Sequence, residues 1–190
     1  EALEGRLDFL IAAISAQPQR LPSVKRDETE AKVLSVEQAI LLLQRPGLDT
    51  LTGRRDTAIL ALMLGTGLRE QEVIALEVHH LNVSCIEGKR PALYVPDGKG
   101  CVERMVPFLE EGVREVVQQW LQAAEIGYGP VFRGFYRGEK IRPTPLSRRA
   151  LQQVLASYPI EIDGEPVVVR PLDLRRTYAR LLYDQGYDFF

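Results

Sequence analysis

The sequence predicts an α+β domain that is mainly α, with one small antiparallel three-stranded β-sheet. Three observations carry that expectation. Apolar residues recur at helical spacing through most of the 190 residues. Between Val78 and Val106 the period changes to an alternation of apolar and polar residues. Inside that interval, Asp97-Gly98-Lys99-Gly100 has the composition of a hairpin turn.

The first elements follow from local signals. Residues 1 to about 17 read as a helix, from the spacing of Leu3, Leu7, Leu10, Ile11 and Ile14. Pro18, Pro22 and the charged run Lys25-Arg26-Asp27-Glu28-Thr29-Glu30 break it. Residues 1–32 are therefore expected to form an N-terminal helix and linker arm, and residues 33–190 the domain proper. Ser35 is the N-cap expected for a helix to about Gln44, since Gln38 completes a capping box and Pro46-Gly47 stops the run. A second helix is expected near Gly53-Arg54-Arg55-Asp56, sending Ile59, Leu60, Leu62, Met63 and Leu64 into the core. The Gly65-Thr66-Gly67 turn ends it, and a third helix follows with Leu68, Val73 and Leu76 facing inward.

Leu81, Val83 and Cys85 mark a first strand, Leu93-Tyr94-Val95 a second, and Val102 to Val106 a third. Val113, Val116, Val117, Trp120, Leu121 and Ala124 then define a long amphipathic helix. Pro130-Val131-Phe132 resembles a short extended piece, and Arg133 to Pro145 reads as a basic loop rich in Gly and Pro. Leu146 to Ser157 reads as a helix with Ser147 as its cap. Ile160 to Val169 is a loop, with a small hairpin around Asp163-Gly164 as the alternative. A last helix holds Leu174, Arg175, Arg176, Thr177, Tyr178, Ala179, Leu181 and Leu182, with Asp173 as N-cap and Gly186 as its end.

Composition narrows the function classes. With 45% hydrophobic residues the chain can bury a sizeable core. No apolar run is long enough to span a bilayer, so no membrane partner is expected. Cys85 and Cys101 lack a CxxC spacing, which predicts a reduced, cytoplasmic protein. His79 and His80 are adjacent and would point to opposite faces of a strand, so no metal site is expected from them. The chain opens on Glu1 and not Met, which predicts a fragment or a processed product.

The net charge of −2 does not suggest a nucleic-acid binder, but its distribution does. Between Tyr128 and Leu182, ten Lys and Arg face five Asp and Glu. A basic segment on an acidic body can form a local anion-binding face. Solvated surface arginines would give the same count, and the count alone favours neither reading. Arg69 is more telling. It falls in the first turn of a helix, where the dipole disfavours a cation unless something anionic docks there. A surface arginine on a loop is the competing reading. Arg148 and Arg149 open their helix in the same way.

Three stretches now line up. Thr66-Gly67-Leu68-Arg69-Glu70-Gln71-Glu72 resembles the first arginine box of the tyrosine recombinases, the phage-integrase family. Gly98-Lys99-Gly100, ahead of Arg104-Met105-Val106-Pro107, resembles that family's β-hairpin lysine and the strand after it. Leu172-Asp173-Leu174-Arg175-Arg176-Thr177-Tyr178-Ala179 resembles the second arginine box, usually His-x-Leu-Arg. The resemblance runs from about residue 33 to the end and implies the tyrosine-recombinase catalytic-core fold. Two departures stand out. Leu172 occupies the usual histidine slot and has no proton to offer. The family's late His/Trp position and its nucleophilic tyrosine would lie beyond Phe190, so the resemblance implies a catalytic domain lacking its C-terminal end and inactive as a fragment. Tyr178, Tyr183 and Tyr187 follow Arg175 too closely to match that tyrosine, and Tyr178 is expected in the core.

The implied activity is site-specific recombination or integration, by DNA strand cleavage and rejoining through a phosphotyrosine intermediate. It needs no metal and no cofactor. Arg69 and Arg175 would grip the non-bridging oxygens of one phosphodiester with charge-assisted hydrogen bonds. Lys99 would be the general acid for the leaving 5′-oxygen, although a hairpin-tip lysine standing alone is usually just solvated. Glu72 would buttress the site, and Arg142, Arg148, Arg149 and Arg176 would contact flanking phosphates, which set position and not sequence. The implied partner is double-stranded DNA, bound by a homo-oligomer, a tetramer, with a monomer in isolation compatible. One alternative is a catalytically inactive DNA-binding or regulatory relative, which Leu172 keeps open. Another is a helical protein–protein interaction module, against which the basic skew and the interposed hairpin count.

Overall fold

The structure, a computed structural model, describes residues 32–81, 83–84, 91–96, 103–108 and 110–186. The expected N-terminal helix and the body of its linker lie outside the described residues, as do the Lys99 turn, Cys85, Cys101 and Tyr187. Helix α1 (Val36–Gln44) begins as its sequence dictates. The Ser35 hydroxyl accepts from the Gln38 N–H at 3.2 Å, and Gln38 Oε1 accepts from the Ser35 N–H at 2.8 Å. Helix α2 (Leu51–Thr66) starts two residues before Gly53, because Thr50 Oγ1 caps it by accepting the Gly53 N–H at 2.9 Å.

Helix α2 is the core of the molecule. Every residue from Arg55 to Leu64 is buried, and α1 packs on it along with two later helices, α4 (Glu111–Ala123) and α6 (Pro171–Asp184). A helix enclosed on all sides has no polar face to spare, so its two buried charges must satisfy each other. Arg55 Nη2 lies 2.7 Å from Asp56 Oδ1, and Asp56 Oδ2 accepts from the Tyr158 hydroxyl at 2.8 Å. The Arg55 guanidinium also sits 4.7 Å from the centroid of the Phe135 ring. Burial pushes the Asp56 carboxyl up against the pull of Arg55, and burial beside that carboxylate raises the Tyr158 hydroxyl.

After the short helix α3 (Glu70–Ala75) and a 3-10 turn at Val78–His80, the sheet forms in the expected order. Strands β1 (Val83–Ser84), β2 (Pro91–Val95) and β3 (Arg104–Pro107) are antiparallel, with Leu93 opposite Val106 and Val95 opposite Arg104. In α4, Trp120 is buried and its indole N–H donates to the Val131 carbonyl at 2.9 Å. That bond fixes the extended piece at 130–132, where the Val131 N–H donates back to Leu76 at 2.9 Å.

Three sequence expectations need correction. The basic loop from Arg133 to Pro145 is a hairpin, β4 (Arg133–Phe135) with β5 (Ile141–Pro145). Its prolines suggested a loop, but Pro143 and Pro145 lie on an exposed strand of a two-stranded sheet, where a missing N–H is tolerated. The 160–169 segment takes the hairpin alternative, β6 (Ile160–Ile162) with β7 (Glu165–Val167), turned by Asp163 and Gly164 at φ 55° and 82°. It follows helix α5 (Arg148–Ala156), which Ser147 caps as expected. Lastly, Asp173 is not the N-cap of α6. Pro171 takes the first helical position, where its missing N–H costs nothing, so Arg170 is the cap. Asp173 instead receives the Arg170 N–H at 2.9 Å and the Lys32 N–H at 3.1 Å. Thr177 Oγ1 adds a bond from the Leu34 N–H at 3.0 Å. Residues 32–34 are thereby tied to α6.

Among the described residues no helix is long and apolar enough to cross a membrane. One substitution tests the packing at the start of α2. A Cβ on Gly53 would lie 2.5 Å from the Gly47 carbonyl oxygen and 2.6 Å from that of Pro46, backbone atoms that cannot swing aside. Helix propensity alone favours alanine by about 1 kcal/mol. We expect Gly53→Ala to lower the thermal midpoint all the same, by about 2–4 °C for each kcal/mol lost. A raised midpoint in calorimetry would contradict the close approach.

Candidate functional site

The site is built around the end of α2. Gly67 closes that helix in the left-handed conformation, φ 61° and ψ 25°, with its N–H donated to Met63 at 3.0 Å. A side chain there would be strained, and its Cβ would run into the Tyr178 ring, which packs against the bare Cα. Two residues later Arg69 begins α3 as its N-cap, with φ −72° and ψ 153°. From the other end of the chain, Arg175 Nη1 donates to the Gly67 carbonyl at 2.5 Å. Arg69 and Arg175 are thus brought to one short turn, although 106 positions separate them.

Glu72 lies one helical turn after Arg69 and folds back on it. Its Oε2 accepts the Arg69 backbone N–H at 2.7 Å and its Oε1 accepts Arg69 Nη1 at 3.1 Å. Arg104 approaches the same carboxylate from β3, with Nη1 to Oε1 at 2.8 Å and Nη2 to Oε2 at 2.9 Å. Each carboxylate oxygen therefore takes one bond from each arginine. The Glu72 side chain is only 11% exposed while that of Arg69 is half exposed. Burial pushes the Glu72 carboxyl up from its ordinary 4.5. The Arg104 hydrogen bonds, the Arg69 N–H and the Arg104 charge outweigh it and bring it down to about 2.

This geometry revises the sequence argument about Arg69. A cation at a helix start was expected to need an external anion, yet here Glu72 supplies an anionic partner from within the chain. Arg148 is similar, since its Nε lies 2.8 Å from Glu70 Oε2 and joins the start of α5 to that of α3. The other expected phosphate contacts are dispersed. Arg142 is exposed, donates to the Phe135 carbonyl at 3.1 Å and stacks 4.8 Å from the Tyr136 ring centroid. Arg149 is exposed and Arg176 half-buried. Leu172 is 53% exposed in the first turn of α6, one turn before Arg175. Lys99 falls outside the described residues.

Sequence reasoning assigned no role to Arg104. A signal was present in the alternation, because Arg104 shares a strand face with the buried Val106 and so faces the body of the protein. His79 and His80 sit in the 3-10 turn and not on a strand. His80 is buried, and its Nδ1 accepts the Glu77 N–H at 3.1 Å. Burial, with the His79 charge, lowers its basicity. Among the described residues no group of three His, Cys, Asp or Glu is placed to hold a metal ion.

Comparison with known proteins agrees with this architecture. The sequence model of the phage integrase family matches residues 32–189. Tyrosine recombinase XerD of Xanthomonas axonopodis pv. citri (strain 306) is 31% identical over 173 residues, covering 83% of this chain and 51% of that protein. Tyrosine recombinase XerD of Staphylococcus aureus (strain Mu50) is 29% identical over 170 residues, covering 88% and 54%. Among solved structures, XerA recombinase aligns with a TM-score of 0.62 at 19% identity, covering 87% of this chain and 54% of that one. The Tn1549 transposon integrase in complex with transposon right end DNA aligns at 0.57 and 16% identity, covering 93% and 63%. These structures share the fold. The chain spans about half the length of the curated relatives it matches.

The Glu72 cluster makes a pH prediction. Its carboxyl lies below its ordinary value when folded, so the stability it contributes is fully present above pH 4.5 and is lost as pH falls toward 2. Glu72→Gln is expected to remove that part of the acid sensitivity, read as a flatter dependence of urea midpoint on pH in that window. An unchanged slope would mean that the paired carboxylate does not titrate with folding.

Proposed function

The chain belongs to the phage integrase family, and on that premise we propose that it provides the phosphate-gripping part of a site-specific DNA recombinase or integrase. The single observation that carries this is the hydrogen bond from Arg175 to the Gly67 carbonyl, two residues from Arg69. One guanidinium bonded to the turn and a second arginine two residues along suit a phosphodiester whose non-bridging oxygens gain negative charge in the transition state. In the proposed step a tyrosine hydroxyl gives up its proton to water, its oxygen bonds to phosphorus and the bond from phosphorus to the 5′-oxygen breaks. Lys99 passes its proton to that oxygen. Attack by a 5′-hydroxyl on the phosphotyrosine reverses the step and rejoins the strand. The 33–190 region would act as the catalytic domain, with the nucleophile supplied from outside it.

Double-stranded DNA is the proposed partner, bound by a homo-oligomer, a tetramer on paired sites, in the cytoplasm. Glu72 would orient Arg69, while Arg142, Arg148, Arg149 and Arg176 would touch flanking phosphates. A second reading is favoured by Leu172. An exposed leucine in the first turn of α6 cannot move a proton, so a catalytically inactive relative that binds DNA remains a distinct proposal with its own outcome below.

Two measurements test these readings. Arg69→Ala combined with Arg175→Ala is expected to weaken duplex affinity and reduce the slope of log K against log salt by about one, since both arginines neutralise the same phosphate. A folded double variant with unchanged affinity and slope would sink the site. In the full-length protein, a nicked suicide substrate is expected to trap a covalent protein–DNA adduct. Arg175→Ala should slow its formation about a hundredfold, the loss of one transition-state donor worth about 3 kcal/mol. A full-length protein that binds DNA through both arginines and never forms the adduct supports the inactive relative.

A further inference from the structure

We propose that Arg104 is a positioning residue for Arg69: it takes up the Glu72 carboxylate from the sheet side and so fixes the group that holds Arg69 in place. The inference rests on the phosphate-gripping reading above and deepens it.

The chemistry is one of charge and geometry. Glu72 accepts four hydrogen bonds, two from Arg69 and two from Arg104. Two guanidiniums thus share one carboxylate, which by itself balances only one of them. With Arg69 alone, the same carboxylate would be free to close on its guanidinium as a two-pronged pair and neutralise it, which defeats an anion-binding role. The second arginine prevents this by occupying one lone-pair direction on each oxygen.

The placement of Arg104 supports a positioning role. Its backbone is fixed in the sheet opposite Val95, on an element independent of α3. Its planar fork meets the carboxylate in a parallel bidentate geometry at 2.8 and 2.9 Å, which a lysine cannot reproduce. The Arg104 side chain is one-third exposed and the carboxylate is largely covered, so the pair is sheltered enough to hold its geometry. A purely structural ion pair would have the same distances. It differs in what happens to Arg69, and that difference can be measured.

The test measures duplex DNA affinity of the full-length protein across a range of salt concentrations, with folding followed by circular dichroism and amide NMR. Arg69→Ala, Arg104→Ala, the combined variant and Arg104→Lys are compared with the unmodified protein. Arg104→Ala is expected to weaken binding about tenfold, the loss typical of one charge-assisted hydrogen bond. The combined variant should bind no more weakly than Arg69→Ala, since Arg104 acts through Arg69. Arg104→Lys, which keeps the charge and loses the fork, should fall between. It also serves as the readout if Arg104→Ala does not fold. Carbon NMR should find the Glu72 carboxyl titrating higher in the Arg104 variants. Additive losses would make Arg104 a direct phosphate contact and overturn the inference. So would unchanged affinity in both Arg104 variants while Arg69→Ala weakens binding. If Arg69→Ala itself leaves DNA affinity intact, the failure lies in the underlying phosphate reading, and the positioning role falls with it.

Discussion

The structure depends on how α2 stops. That helix is buried from Arg55 to Leu64, and a buried helix can end only where its last carbonyls find partners. Gly67 solves this by turning left-handed, which returns its N–H to Met63 and presents its own carbonyl to Arg175. The bare Cα leaves room for the Tyr178 ring, so α6 docks against the turn at two points, three residues apart on one helix face. Arg69 then follows at a fixed offset. The arrival of two arginines at one turn is therefore a consequence of helix termination and helix packing.

Around that turn, charge is arranged in pairs that cross elements. Glu70 joins α3 to the start of α5 through Arg148, and Glu72 joins it to β3 through Arg104. Helix α3 has only six residues, too few to be stable by itself. It is held by Val73 in the core and by its two glutamates at the rim. Acidic residues in a first turn also suit the helix dipole. The same two carboxylates thus stabilise a short helix and orient the cations beside it. Deep in the core the Arg55, Asp56 and Tyr158 group follows a different logic. There Arg55 and Asp56 are buried and Tyr158 half-buried, and the group joins the start of α2 to the segment after α5.

Much of the fold was legible in the sequence, because capping and periodicity act over a few residues. Ser35 with Gln38 and Ser147 with Ala150 were set by local hydrogen bonds that any environment would permit. The sheet followed from alternation between Val83 and Val106. Where local rules misled, a neighbour had intervened. Pro143 and Pro145 look like loop residues until an exposed strand gives them a place, and Asp173 looks like a cap until Pro171 claims the first helical position.

The sequence by itself determined the class of fold, the order of its elements and the residue types suited to an anion, since these depend on short-range pattern and on chemistry. Only the tertiary structure decided which of those residues meet. The bond from Arg175 to Gly67, and the shared carboxylate between Arg69 and Arg104, span long stretches of chain. No local preference encodes such pairings. They arise when a buried helix, a left-handed glycine and a strand register fix distant backbones in space, and only then do the side chains find one another.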